Sequence, residues 1–204
     1  MRHQGRGVHI LFVFFIMTLT YGCSSFRVGN LPEITDWPLS PASTEYNLKV
    51  VTISSGAELT VNGATERPGK LLLGMVNDKA RDAYAGSGLF RLANPRYDYE
   101  PDYIIEVMLK DEETVDPYSI LFSVLTLFIK EGQMMDDYTL TTTIKDKKGE
   151  VLAKIEKSDS IVYKQRLGLF FSIFSRLPDV VSKETIYDLN RATIKEALSK
   201  GVFQ

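Results

Sequence analysis

Hydrophobic and polar residues alternate in three stretches of the chain, and each stretch predicts a β-strand. The alternation runs through residues 46–54, 103–110 and 138–145. A polar turn follows the third stretch, and Gly149 suits the positive φ that a bulged hairpin requires. Alternation then resumes, so residues 138–163 are predicted to form an antiparallel hairpin. A short strand is also predicted at residues 89–92.

Two segments instead repeat their hydrophobic residues at spacings of three and four, which predicts amphipathic helices. The first covers residues 69–84 and is predicted to end at Gly86 or Gly88. The second covers residues 179–200, and Gly201 after it predicts a Schellman stop with the following valine folded back.

These elements follow one another in the order β-α-(β)-β-β-β-α, with a loop predicted at residues 55–68. Hairpin strands combined with two long helices favour the α+β class. We therefore predict an antiparallel sheet with both helices packed on one face. Residues 46–204 are expected to form this single domain, since the length suits one ordinary domain plus a tail.

The N-terminus carries a targeting pattern. Arg2 and Arg6 precede an apolar run over residues 8–19, which is typical of a signal peptide and too short to span a bilayer. The sequence LTYGC at residues 19–23 resembles a bacterial lipoprotein signal, although Thr20 replaces the usual leucine. The resemblance implies that residues 1–22 are removed and that Cys23 is acylated. An ordinary secretory cleavage or an uncleaved anchor are the alternatives.

Residues 23–45 are predicted to be the lipidated cysteine and a flexible tether. They contain three prolines and show neither the alternation of a strand nor the three-and-four spacing of a helix. Ser24 stands where an inner-membrane sorting aspartate would stand, so the resemblance implies the outer membrane, facing the periplasm. Trp37 lies within this segment, and either docks on the domain or contacts the membrane interface or a partner.

Composition excludes several classes of function. The 24 basic and 26 acidic residues give a net charge of −2, which does not favour nucleic acid as a partner. His3 and His9 are the only histidines, and both precede the predicted cleavage site. A mature chain without histidine has no histidine base, and with Cys23 acylated it has no free thiol. We therefore predict no metal and no cofactor.

Two segments partly match known ligand-binding motifs but lack residues that those motifs require. Residues 63–71 resemble a phosphate-binding loop, but the glycines are separated by five residues and Leu71 replaces the required serine or threonine. The acidic residues Asp98, Glu100 and Asp102 have the spacing of a calcium loop, but its turn glycine and distal glutamate are missing. Neither motif supports a ligand site.

Two uncharged apolar segments, residues 118–129 and 167–174, stand beside the hairpin. They are either buried core or an apolar surface for a membrane or a partner protein. Because they continue from the two open ends of the hairpin, we expect them to meet each other. The candidate interface residues are the large side chains Phe122, Leu125, Phe128, Leu169, Phe170, Phe171 and Phe174.

A further resemblance concerns the sequence AYAGSGLF, which ends at Phe90, and the sequence PDYII at residues 101–105. Similar pairs occur in small Gram-negative envelope lipoproteins: the activators of penicillin-binding proteins, the curli secretion lipoprotein and the N-terminal domain of the Tol translocation protein. The resemblance implies a non-enzymatic α+β domain used for protein contacts, and it carries over no binding residue.

The sequence therefore predicts a membrane-attached accessory or scaffold protein of an envelope protein complex. A lipid- or small-ligand-binding module, in which the apolar segments enclose a cavity, is the first alternative. A hydrolase using a Ser–Lys dyad or a pair of carboxylates is the second. Neither hydrolase pattern has a recognisable motif in the chain.

Overall fold

Seven strands form one sheet, accompanied by three helices, in a computed structural model that describes residues 21–39, 48–94, 96–97, 100–125, 132–167 and 177–203. The strands are β1 (Tyr21–Arg27), β2 (Lys49–Val61), β3 (Ala64–Glu66), β4 (Phe90–Leu92), β5 (Tyr103–Val115), β6 (Gly132–Asp146) and β7 (Val151–Leu167). The helices are α1 (Lys70–Gly86), α2 (Pro117–Leu125) and α3 (Pro178–Ser199).

The strands are ordered β1-β7-β6-β5-β2-β3 across the sheet, and β4 pairs with β2. Most neighbours are antiparallel, while β2 runs parallel to β4 and β5. The two long helices α1 and α3 pack against each other, α1 on β2 and α3 on β7. This architecture confirms the predicted α+β class, and the β6–β7 hairpin confirms the predicted hairpin in a longer form.

Alternation along the strands explains which face meets the helices. In β5 the residues Tyr103, Ile105, Val107 and Leu109 are buried, and the residues between them are more exposed. The hydrophobic core lies between this face of the sheet and the buried side chains of the helices. Its helical members are Val76, Ala80, Ala83, Tyr84, Val181, Ile186, Leu189, Ile194 and Ala197.

Helix α3 ends in the predicted Schellman motif. The N–H of Val202 donates to the carbonyl of Ala197 at 3.0 Å, and the N–H of Gly201 donates to Leu198 at 3.0 Å. Gly201 has φ +69°, which glycine adopts without steric cost. The turn carries Phe203 onto the aromatic rings of Phe90 and Tyr103.

The predicted loop at residues 55–68 is wrong over most of its length. Strand β2 continues to Val61, and Asn62 and Gly63 form a two-residue turn with φ +49° and +82°. Val61 then pairs with Ala64, so β2 and β3 form a hairpin. Asn-Gly is the dipeptide that such a turn favours.

A third helix, α2, occupies the first apolar segment, for which the sequence predicted no regular structure. Asp116 precedes the helix, and its Oδ1 accepts the N–H of Tyr118 at 3.0 Å. Pro117 occupies the first helical position, where its missing N–H has no consequence. The Asp-Pro pair is therefore the start signal of α2.

Residues 23–39, the described part of the predicted tether, lie against the domain. Residues 21–27 form an edge strand on β7, and Ile34 and Asp36 accept hydrogen bonds from α3. Arg191 donates to the carbonyl of Ile34 at 2.7 Å, and its guanidinium lies 4.9 Å from the ring centre of Trp37. Trp37 thus docks on the domain. Residues 40–47 and the predicted signal peptide up to residue 20 lie outside the described residues.

Candidate functional site

Four strand termini meet at one end of the sheet. Cys23 in β1 pairs with Gln165 in β7, and Gln165 pairs with Gly132 at the start of β6. The last residue of β5, Val115, pairs with Met134 at the same end. We call this end, defined by Cys23, Val115, Gly132 and Gln165, the cysteine end.

The position of Cys23 follows from this register. Its backbone belongs to β1 itself rather than to a distant linker. Any group carried by Cys23 is therefore attached directly at the edge of the folded domain. The acylation predicted for Cys23 stays a prediction.

The cysteine end exposes a cluster of large apolar side chains. Among the interface residues predicted from the sequence, Phe122 is 50% exposed and Leu125 is 68% exposed. Both belong to α2. The other exposed side chains of the cluster are Leu71, Tyr118, Leu121, Val124, Leu177 and Val180. We call these eight residues the apolar rim.

Phe128, Leu169, Phe170, Phe171 and Phe174 lie outside the described residues. Among the described residues, Gly132 pairs with Gln165 at this end of the sheet. The mutual contact of residues 118–129 and 167–174 stays a prediction.

A cavity of about 350 Å³ opens beside the apolar rim, between the sheet and the first turns of α1 and α3. Leu71 and Met75 line it from α1, Ile120 from α2, Met134 from β6 and Pro178 from α3. Its wall is therefore largely apolar. Helix α2 contributes to this wall through Ile120 while other side chains of the helix face solvent.

The cavity also has a polar wall. Asp136 lines it and is only 8% exposed. Its Oδ2 accepts a long hydrogen bond from the hydroxyl of Tyr138 at 3.5 Å, while its Oδ1 is buried without a partner. Tyr163 and Ser182, whose hydroxyls lie 3.0 Å apart, complete this wall. A polar atom left without a partner in such a site costs about 1–3 kcal/mol.

A second buried carboxyl lies close to the first. Asp111 in β5 pairs with Tyr138 in the sheet register, and its Oδ1 also lacks a partner. Burial raises the pKa of Asp111 to about 7, and the charges of Asp136 and Glu113 add to this effect. Burial raises the pKa of Asp136 to about 6. Both carboxyls therefore hold their protons well above the ordinary range for aspartate.

The sequence analysis did not select these two aspartates, although a signal exists. Asp111 continues the alternation of buried residues in β5, and Asp136 continues that of β6. A carboxylate in phase with the buried face of a strand is rarely placed there without a partner. An aspartate at a position where the strand alternation predicts a buried apolar residue is therefore the sequence signal for this cavity.

The opposite face of the sheet is polar and carries a second, broader groove of about 710 Å³. Its walls include Thr139, Thr141 and Thr143 of β6, with Lys154 and Glu156 of β7. The described helices α1 and α3 pack on the other face. This groove is open and lacks buried unpaired groups among its lining residues.

Within the described ranges, no cluster of three or more metal-binding side chains occurs. In the same part of the chain, every helix is too short or too polar to cross a membrane.

Comparisons with known proteins identify no family for this chain. No protein-family model matches the chain, and no curated protein does. A minor lipoprotein from Acinetobacter baumannii matches with 12% identity over 75% of this chain and 94% of its own, at a TM-score of 0.39. Lipoprotein B from Nitrosomonas europaea matches with 12% identity over 74% and 80%, at 0.32. The PelC dodecamer from Paraburkholderia phytofirmans matches with 11% identity over 84% and 94%, at 0.32. All three TM-scores lie below 0.5, so these similarities assign no function to this chain.

Proposed function

We propose that this chain is a non-enzymatic, lipid-anchored accessory protein of a bacterial envelope complex, with its cysteine end against the bilayer. One observation carries the proposal: the backbone of Cys23 lies at the same end of the sheet as the apolar rim. An acyl group on Cys23 and the exposed side chains of α2 would reach the same surface together.

The energetics support this orientation. Burial of a large apolar side chain is worth about 1.5–3 kcal/mol, and the rim offers several such side chains. The proposed lipid on Cys23 carries more than one acyl chain and would anchor the chain stably by itself, so contact of the apolar rim would orient the domain on the bilayer. We place the protein on the periplasmic face of the outer membrane, because Ser24 follows the cysteine in place of a sorting aspartate.

This orientation leaves the polar sheet face available to a protein partner. The groove along Thr139, Thr141 and Thr143 runs towards the hairpin turn at the opposite end from Cys23. A partner of the envelope complex would reach this face from the periplasm, which supports the accessory or scaffold role.

Fractionation of cells that express Cys23→Ser tests the proposal. We expect the wild-type chain in the membrane fraction with acyl chains detected by mass spectrometry, and the variant in the soluble fraction. Ser24→Ala is the matched control, since it also changes a small residue of β1, and it should remain acylated. A wild-type chain that is soluble and unacylated contradicts the proposal. Crosslinking in intact cells followed by mass spectrometry then identifies the partner.

A further inference from the structure

The cavity at the cysteine end combines an apolar wall with a carboxyl whose hydrogen bonding is incomplete. Asp136 is nine-tenths buried, lines the cavity and leaves Oδ1 without a partner. Native proteins rarely leave such an atom unsatisfied unless a ligand or another group completes it. The Oδ1 atom of Asp136 is therefore available to accept a hydrogen bond from a ligand in this cavity.

The charges around Asp136 determine whether a cationic, neutral or anionic ligand is favoured as its hydrogen-bond donor. Glu113, Asp111 and Asp137 place negative charge near Asp136. In the described part of the chain, no basic side chain forms an ion pair with Asp136. Lys183 is the basic residue nearest along the chain to the cavity-lining residues of α3, and it pairs with Asp179 at 2.7 Å. An anionic ligand would be repelled here, and a cation would be attracted.

We propose that this cavity binds a hydrophobic amine, a single-chain alkylammonium or arylalkylammonium, whose cationic group pairs with Asp136. The rings of Tyr138 and Tyr163 line the same wall and add a cation–π contribution. The apolar body lies against Met75 and Ile120.

The size of the cavity limits the ligand. A volume of about 350 Å³ lies at the lower end of the range of ~300–1,000 Å³ found for small-molecule sites. This space suits one short chain rather than a diacyl lipid. Asp136 lies on β6 and Cys23 on β1, with β7 between them, so amine binding does not use the Cys23 side chain.

The test uses the acylated chain in phosphatidylcholine nanodiscs, titrated calorimetrically with n-octylamine, n-octanol and octanoate. All variants share the same background partitioning into lipid, so a difference between variants isolates the site. We expect saturable binding of octylamine and weaker binding of the other two. Asp136→Asn should weaken octylamine binding about tenfold or more, since it removes a charge-assisted hydrogen bond.

Glu156→Gln is the matched control. Glu156 lies on β7 and lines the polar groove on the opposite face of the sheet, away from the cavity of Asp136. This variant should bind octylamine like the wild type. A cavity-filling variant, Met75→Trp, should abolish saturable binding, with retained folding verified by its melting curve. Three results would overturn the proposal. They are equal octylamine binding by the wild type and Asp136→Asn, the absence of a saturable binding component, and a preference for octanol or octanoate.

Discussion

Arg27 of the first strand donates its Nε proton to Asp159 of β7 over 2.6 Å, and Asp159 is only 4% exposed. The same guanidinium donates from Nη1 to Asp188 of α3 at 2.7 Å. One side chain thus joins the edge strand, the sheet and the last helix. The position of Cys23 depends on this junction, because it fixes β1 on β7.

Arg27→Met should destabilise the domain by about 2–4 kcal/mol, because it leaves Asp159 buried without its cationic partner. Denaturant unfolding of the unacylated Cys23→Ser background measures the change. Lys195→Met is the control, since it breaks an exposed ion pair with Asp36 and should leave the free energy of unfolding nearly unchanged. Equal losses in both variants would contradict a special role for Arg27.

Gly29→Ala should also destabilise the domain, by about 1–3 kcal/mol. A Cβ at Gly29 would overlap the carboxylate of Asp159 and lie 2.8 Å from the backbone nitrogen of Ser160. Gly74→Ala in α1 is the control, because a Cβ there meets nothing within 4 Å. That control should stabilise the helix by about 0.5–1 kcal/mol. Thermal melting should therefore show a lower melting temperature for Gly29→Ala and a higher one for Gly74→Ala.

Leu121→Glu combined with Leu125→Glu should preserve folding and weaken membrane contact. Both side chains are exposed, at 53% and 68%, so their replacement leaves the core intact. Liposome co-sedimentation of the unacylated chain should show about tenfold weaker binding. Val151→Glu with Leu152→Glu, at the far end of the sheet, should bind like the wild type. Loss of folding in the first variant would show that α2 belongs to the core.

Stability should fall as pH rises between about 4 and 7. The folded state retains the protons of Asp111 and Asp136, whose pKa values are raised to about 7 and about 6. The unfolded state releases them near pH 4, so deprotonation favours unfolding. The double variant Asp111→Asn/Asp136→Asn should lack this fall and be about 1–3 kcal/mol more stable at pH 8. Melting curves from pH 4 to 8 that run parallel for both proteins would contradict the prediction.

Local patterns predicted the elements that depend on local physics. The β6–β7 hairpin follows from alternation and a turn glycine, and the end of α3 follows from Gly201 and Val202. Helix α1 follows from its apolar spacing. In each case the pattern that specifies the element lies within the element or its adjoining turn.

Elements without a periodic hydrophobic pattern of their own were missed. Strand β1 has no alternating pattern, and its pairing is set by β7, with Arg27 bonded to a residue 132 positions away. Helix α2 lacks a polar face in its sequence, so periodicity did not reveal it. The cavity could not be predicted, because it forms only where three helices and two strands approach each other.

The pairing of β1 with β7 has a consequence for the timing of maturation. Under the proposed function, a peptidase that cleaves before Cys23 would need an unpaired substrate, whereas the docked strand has its backbone paired with β7. Cleavage and acylation would then have to precede the docking of β1. Until β1 docks, the edge of β7 would be open, and an open edge is a template for pairing with another chain. The proposal therefore implies that the chain is most prone to aggregation before β1 docks.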